Sequence, residues 1–449
     1  MSYQAAISRM YALGQELAQS PARKFDLAHM RTLLAALENP ERKFPSVLIA
    51  GTNGKGSTAA SLAAMLQASG LSTGLYTSPH LIRINERIRI NGEPISDDSF
   101  ALLHDMVDRT ADRLVSEGEL PWHPSFFEML TAIAFEHFAR SKVDIAVLEV
   151  GMGGRLDATN VVDPRVSVIT DISLDHQKFL GDTVTDIARE KVGIIRPGGV
   201  VVTLPQQPQA NDVIGNAILS AAARGVSAVP YVPPVSPASH EYASFSSDGS
   251  VPFERYPLQV MGEQIIVETP LTGRHQLRNV ALAIASAEEL ARQGFPITAR
   301  SIERGIPETH WPGRFQVAPA TRSRPGFVFD AAHNPAGAWA LRSTLSTLYD
   351  GKRLIFVFGV MRDKAMGEIA EILFPLAERV ILTQADNPRS ATPDEIRQAS
   401  RVLADIEEAA SVRAAIERVK EMARADGTVV ITGSIYLVGE AMSQLGIKV

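Results

Sequence analysis

The segment Gly51-Thr52-Asn53-Gly54-Lys55-Gly56-Ser57-Thr58 carries the residue types needed to hold a polyphosphate. Glycines let the backbone bend until its N–H groups, and those of a following helix start, face phosphate oxygens. Lys55 has the reach for β- and γ-phosphates, and the hydroxyl of Ser57 or Thr58 can help to hold Mg²⁺. The spacing is not a strict Walker A motif, because Gly56 stands where Ser or Thr is usual and Ile49 where the first glycine belongs. A glycine turn with a solvent-facing lysine would look similar in isolation. The context decides for phosphate: a short apolar run at 46–50 enters the turn, and an alanine-rich helix at 57–69, stopped by Gly70, leaves it.

Four further residues bear on the chemistry. Glu149 ends a strand-like run at 145–150 and is followed by Gly151-Met152-Gly153-Gly154. Ligands gather at the carboxyl ends of parallel strands, so an acid there can serve Mg²⁺, although strand-end glutamates equally serve as caps or surface charges. His176 follows the next strand candidate, 166–170; a neutral imidazole can ligate a metal, yet Mg²⁺ prefers oxygen and a lone loop histidine is more often merely exposed. By periodicity, Lys191 is a solvated helix lysine and Ser78 a turn residue. Phe126, Phe127 and Met129 read as core, and Ser125 followed by Glu128 has capping-box spacing.

These residues need elements to position them. Strand-like runs alternate with helical patterns, which predicts parallel sheets flanked by helices. A helix is expected at 185–195 and another at 276–293, with short strands and surface loops across 205–257. The Pro- and Gly-rich stretch 305–314 marks a junction. Beyond it, strand candidates at 327–329, 354–358, 380–383 and 429–431 form a second, smaller α/β domain. The expected division is 1–306 and 307–449. The chain has 449 residues, 45% hydrophobic and 21% charged, ample for two cores. A formal charge of -6 supplies no basic field for nucleic acid, and the lack of cysteine excludes thiolate chemistry and disulfides. No apolar run approaches ~20 residues and no signal peptide is evident, so a soluble, cytoplasmic protein without membrane association is expected.

Taken together, the motifs resemble the folylpolyglutamate synthase/dihydrofolate synthase family of the Mur ligase superfamily. The matching stretches are 51–58, 77–81, 149–160, 174–176 with Leu180-Gly181, and 190–194. They continue with Gly273-Arg274-His275-Gln276 and Asn279, Pro312-Gly313-Arg314-Phe315, 330–335, Asp363-Lys364 and 432–440. Ten such stretches in family order are specific where one would be weak. The departures are small: Ala331 replaces a common glycine, Val192 a common alanine, and Ala365-Met366 stand where another aspartate often follows Asp363-Lys364.

The resemblance implies a P-loop ATPase domain with a mostly parallel sheet, a smaller Rossmann-like C-terminal domain, and a site in the cleft between them. It implies ATP binding by residues 52–58, Asn279, Arg314 and Asp330. Ser78, Glu149 and His176 would hold Mg²⁺, with Ser57 assisting, for two ions in all and a monovalent cation besides. Lys191 matches a lysine that relatives carry as a carbamate, and His333 one placed near the reacting groups; with Lys55 these are the implied catalytic residues. Ser125, Phe126, Phe127 and Glu128, together with Leu156, Asp157 and Ala158, match pteroate-contacting segments. The implied substrates are L-glutamate with dihydropteroate or a reduced folate, joined through an acyl phosphate by a monomeric enzyme. The stretch Arg155-Leu156-Asp157-Ala158-Thr159-Asn160 resembles the bifunctional bacterial enzymes, so both acceptors are expected. A cell-wall Mur ligase would place a UDP-binding domain before the phosphate loop, for which 50 residues are too few. A guanine-nucleotide switch would carry an Asn-Lys-x-Asp motif, and none is present.

Overall fold

The computed structural model describes residues 1–14, 26–234, 242–246, 251–321, 324–401, 405–422 and 427–448. Two helices, α1 (Tyr3–Ala12) and α2 (Leu27–Ala36), precede the first sheet. The chain then runs β1 (Ser46–Ala50), α3 (Lys55–Ala68), β2 (Thr73–Tyr76), β3 (Ile88–Ile90), β4 (Glu93–Pro94), α4 (Asp97–Ser116), α5 (Phe126–Arg140) and β5 (Ile145–Glu149). It continues through β6 (Val166–Ile169), α6 (Gln177–Leu180), α7 (Val184–Lys191), β7 (Val200–Thr203), α8 (Pro208–Ser220) and β8 (Arg224–Ser227). The sheet order is β4-β3-β2-β5-β1-β6-β7-β8, parallel from β2 to β8 with an antiparallel edge at β3 and β4. All five residues of β1 are buried because helices cover both of its faces, which explains a continuous apolar run rather than an alternating one. β1 lies between β5 and β6, with Ile49 level with Glu149 and Ala50 level with Ile169. The loops after three adjacent strands therefore open on one edge, and this places the glycine loop, Glu149 and the 171–176 segment together.

A small antiparallel sheet follows, built from β9 (Ala243–Phe245), β10 (Pro252–Val260) and β11 (Glu263–Thr269). The helices α9 (Arg274–Arg292) and α10 (Ala299–Gly305) then pack on α3, joining its Leu62, Met65 and Leu66 in one core. The expectation for 205–257 is corrected here, because a 13-residue helix, α8, begins that stretch. Pro208 suggests a break, but at the first helical position its missing N–H costs nothing. The stripe of α8 buries fully only Ala210 and Ile214, which leaves a weak periodic signal. Parts of that stretch, 235–241 and 247–250, fall outside the described residues.

The C-terminal sheet comprises β12 (Gln316–Ala318), β13 (Gly326–Asp330), β14 (Leu354–Phe358), β15 (Arg379–Leu382), β16 (Ile406–Glu408) and β17 (Thr428–Thr432). Its order is β12-β13-β17-β14-β15-β16, parallel except for β12. The four expected strands are present, and the two edge strands, three residues each, add to them. The helices α11 (Pro335–Leu348), α12 (Met366–Leu373), α13 (Pro393–Ala399), α14 (Val412–Met422) and α15 (Ile435–Leu445) intervene, and separate cores lie on the two faces. The fold is α/β throughout. Among the described residues no helix is long and apolar enough to cross a membrane.

Candidate functional site

The glycine loop is held from behind. The backbone N–H groups of Thr52 and Asn53 donate to the Asp171 carbonyl at 2.8 and 3.2 Å, and the Thr52 hydroxyl donates to the Ser173 carbonyl at 3.0 Å. Those two residues therefore anchor the loop, and the N–H groups at Gly54, Lys55, Gly56 and Ser57 are the ones that open the helix without an intrahelical acceptor. Gly54 has φ +89°, and a Cβ there would sit 2.1 Å from Asn279 Oδ1. At Gly56 a Cβ would lie 2.4 Å from the Trp311 ring, which accounts for glycine in place of the usual hydroxyl residue. Ser57 lines the cavity in front of the loop; the Thr58 hydroxyl is buried without a hydrogen-bond partner and does not.

This cavity, about 440 Å³, also takes in Ser78, Glu149, His176, Lys191, Asn279, Arg314, Asp330 and His333. The expected nucleotide, metal and catalytic side chains are thus brought together, apart from Thr58. Lys55 Nζ donates to the Thr52 carbonyl at 3.2 Å and lies 4.0 Å from Glu149 Oε1, while the Ser78 N–H donates to Glu149 Oε2 at 3.0 Å. Burial pushes the Glu149 carboxyl up, against the pull of Lys55. The His176 backbone is left-handed, with φ +50°, and its Nδ1 is buried with no partner. Burial lowers the His176 ring to about 4, so it is a neutral imidazole with a lone pair to offer. Lys191 is 3% exposed and donates to the Gly51 carbonyl at 2.7 Å. Burial, aided by the Lys55 charge, lowers its amine to about 7. The solvated lysine that periodicity suggests is therefore corrected to a buried one, near half neutral at neutral pH.

The fit to a metal can be judged from these donors. Among the described residues no three His, Cys, Asp or Glu side chains converge to hold an ion unaided. Glu149, an orphaned imidazole nitrogen and the Ser78 and Ser57 hydroxyls do fit a hard cation that draws its other oxygens from phosphate and water.

A second cavity, about 750 Å³, adjoins the first. Its walls come from the cap of α5 (Ser125, Phe127, Glu128), the glycine-rich loop through Leu156, Asp157 and Ala158, α2 with His29, and the C-terminal Lys364, Arg389 and Tyr436. Both capping-box bonds form at Ser125 and Glu128. Phe126 does not line this cavity: its ring is 4% exposed, stacked on Tyr11 and beneath Arg87. Asp157 lines it but is committed, accepting from the N–H groups of Met152 and Thr159 and from the Thr159 hydroxyl. Ser78, His176, Arg314 and His333 border both cavities.

Sequence reasoning passed over Asp175. Its Oδ1 is 2.5 Å from Lys364 Nζ, and its Oδ2 accepts from Asn334 at 3.2 Å and lies 3.6 Å from His333 Nε2. Burial alone would raise this carboxyl, but the bond with His333 and the nearby Lys364 ammonium hold it well below the usual range. Asn334 also donates to Asn53 Oδ1 at 3.0 Å, so the C-terminal sheet is tied directly to the glycine loop. Arg278, which pairs with Asp171, and the half-buried His275 were likewise given no role. His275 stands inside a quoted motif that says nothing of its role, and Arg278 only beside one, since its pairing with Asp171 across more than a hundred residues leaves no local trace.

Comparison with known proteins adds independent support. Residues 127–287 match the Mur ligase middle domain and 313–435 the Mur ligase glutamate ligase domain. The folylpolyglutamate synthase of Lacticaseibacillus casei is 35% identical over 93% of each chain. The dihydrofolate synthase/folylpolyglutamate synthase of Bacillus subtilis is 33% identical over 93% of this chain and 94% of its own. The folylpolyglutamate synthase of Mycobacterium tuberculosis, solved with ADP and AMPPCP, superposes with a TM-score of 0.86 at 32% identity, covering 99% of both chains. An FPGS–AMPPCP–folate complex superposes at 0.81, with 31% identity over 99% of this chain and all of the other. A glycine loop that faces an acid, a neutral histidine and a buried lysine, beside a second cavity and on this architecture, makes the chain a member of the dihydrofolate synthase/folylpolyglutamate synthase family of Mur ligases.

Proposed function

We propose that the protein is an ATP-dependent ligase that adds L-glutamate to dihydropteroate and to the γ-carboxylate of reduced folates, in folate biosynthesis. The observation that carries this is the shared wall: Ser78, His176, Arg314 and His333 border both cavities, so a γ-phosphate and an acceptor carboxylate can meet there. The relatives named for both activities support the two acceptors, and the folate complex of a structural neighbour supports the larger cavity as the acceptor site. On this reading the domain division falls at 306/307, between the two matched Mur ligase segments. The enzyme acts as a cytoplasmic monomer.

A carboxylate resists an amine because it is anionic and its leaving group would be oxide. An oxygen of the acceptor carboxylate therefore attacks the γ-phosphorus and ADP leaves; the glutamate amine then attacks the acyl carbon and expels phosphate. Lys55 and the N–H groups of Gly54, Gly56 and Ser57 take up charge on the transferred phosphoryl group. Asn279, Arg314 and Asp330 hold the nucleotide, and His333 lies beside the reacting groups. Two Mg²⁺ ions held by Ser57, Ser78, Glu149 and His176 would neutralise phosphate charge, with a monovalent cation besides. Lys191 as a carbamate would add an anionic oxygen ligand, which the neutral amine makes accessible. The Asp175–Lys364 pair joins the two sides of the cleft, and closure on the substrates would protect the acyl phosphate from water.

The test is glutamate-dependent nucleotide turnover with dihydropteroate and tetrahydrofolate side by side. ADP and phosphate are expected with both acceptors. Release of AMP and pyrophosphate, or turnover indifferent to glutamate, would reject the scheme; extension of tetrahydrofolate alone would reject the dual acceptor.

A further inference from the structure

His29, Trp122, Ser125 and Glu128 line the larger cavity only, at its N-terminal side. His29 lies in the first turn of α2, is 9% exposed, and stacks on the Trp122 indole with centroids 5.6 Å apart and planes 25° from parallel. Its Nδ1 is 3.0 Å from Glu128 Oε1 and its Nε2 3.0 Å from the Trp122 carbonyl oxygen. The other Glu128 oxygen accepts from the Ser125 N–H at 2.8 Å and from the Ser125 hydroxyl at 2.7 Å. A main-chain carbonyl can only accept, and a carboxylate so engaged accepts on both oxygens. Neutral imidazole has a single donor, so satisfying both contacts requires both ring protons.

We propose that His29 is a positioning residue of the acceptor cavity, an imidazolium clamped between Glu128 and the Trp122 carbonyl that fixes the α5 cap and the Trp122 ring as the wall for the acceptor's aromatic heterocycle. The proposal rests on the ligase reading of that cavity. The groups facing the ring agree on its charge. Burial alone would lower its pKa, but the hydrogen bond and charge of Glu128 from α5, the Trp122 carbonyl from the preceding loop and Asp26 from its own helix cap raise it above the ordinary 6.5. Glu128, against its burial, is held low in return. Asp157, on the third element lining this cavity, is committed to Met152 and Thr159 and leaves the balance unchanged. The same clamp fastens α2 to α5, two elements nearly a hundred residues apart, so its loss loosens the cavity wall and leaves the glycine loop untouched.

Steady-state kinetics across pH 6–9 test this. A group whose folded pKa is raised keeps its contribution below its ordinary pKa and loses it as pH climbs through the folded value. The KM for dihydropteroate should therefore be flat below the ordinary imidazole pKa and rise as pH climbs beyond it, while the KM for ATP does not follow it. His29→Gln can donate to one oxygen but turns its own carbonyl on the other. Its KM for dihydropteroate should be about tenfold higher at pH 6.5, with the pH rise abolished and kcat within about twofold. An unchanged KM, or the same pH rise in the variant, overturns the proposal. Imidazole ¹⁵N NMR of the wild-type chain without substrates reads the charge even if the variant does not fold. Two protonated nitrogens on His29 at pH 6.5 are expected, and a single-tautomer neutral ring overturns the clamp. Turnover absent with every acceptor, beside an NMR-confirmed imidazolium, would sink the ligase reading and the positioning role but not the charge assignment.

Discussion

The two cavities are built in opposite ways. The nucleotide side draws most of its chemistry from the ends of three adjacent strands, so one sheet edge aligns the glycine loop, Glu149 and His176 within a single rigid element. The acceptor side is assembled from α2, the cap of α5, the loop through Asp157, and the loops and α15 start beside the C-terminal sheet, segments that are scattered along the chain. Transferring a phosphoryl group demands donors fixed to a fraction of an ångström, which a buried parallel sheet supplies. Admitting substrates of different length demands a wall that can be rebuilt, which packed loops and helix ends supply. The contrast predicts that damage on the nucleotide side costs turnover and little stability, whereas damage on the acceptor side costs affinity.

The largest expected effect is at Lys55. Among the described residues its amine meets only a loop carbonyl and, at 4.0 Å, Glu149, and it belongs to no hydrophobic core. Lys55→Ala should lower kcat by about 10³-fold for both acceptors, with the thermal midpoint within a few degrees of wild type. Loss of activity for one acceptor alone would break the idea of a common phosphoryl site. Lys191→Met comes next and separates activity from stability. The folded pKa of Lys191 is lowered to about 7 from 10.5, so below pH 7 the fold must bury an ammonium. Between about 7 and 10.5 the unfolded chain binds the extra proton, and native stability gains as pH rises through that window. Methionine carries no such cost. The variant should therefore be more stable than wild type by roughly 2 kcal/mol at pH 6, with the advantage shrinking by pH 9, while turnover falls about 10²-fold. Urea unfolding at the two pH values decides the first part; a destabilised variant at pH 6 would show that the Gly51 carbonyl depends on this amine more than burial opposes it.

Legibility followed contiguity along the chain rather than that division. The glycine loop is contiguous, so its strand, turn and helix were visible together, and the central strands were readable because burial on both faces makes them uninterrupted apolar runs. Lys191 was misread from periodicity, since a helix of eight residues with only Ile187, Ala188 and Lys191 buried shows no stripe that marks the lysine as internal. His29 and Asp175 left no pattern at all; their partners, Glu128 and Lys364, lie 99 and 189 residues away. The edge strands β12 and β16 were too short to signal, and α8 was hidden by a proline that helices accept at their first position.

The smallest expected effect is also the sharpest test of the acceptor wall, because it sets neighbouring residues of one type against each other. Both Phe126 and Phe127 match a substrate-contacting segment, yet the first turn of α5 sends them different ways. Phe127 lines the acceptor cavity, and its ring is 2.5 Å from where a Cβ on Gly151 would stand, so ring and loop backbone are in mutual contact. Phe126 is buried between Tyr11 and Arg87. Leucine at each site removes similar volume. At Phe126 it should cost about 1 kcal/mol of stability, from lost burial and ring contacts, and leave the KM for dihydropteroate within twofold. At Phe127 it should raise that KM about fivefold, the loss of roughly 1 kcal/mol of stacking, with less effect on unfolding. If Phe126→Leu raised KM as much as Phe127→Leu did, the helix cap would act on the substrate as one unit, and the assignment of its two faces to core and cavity would fail.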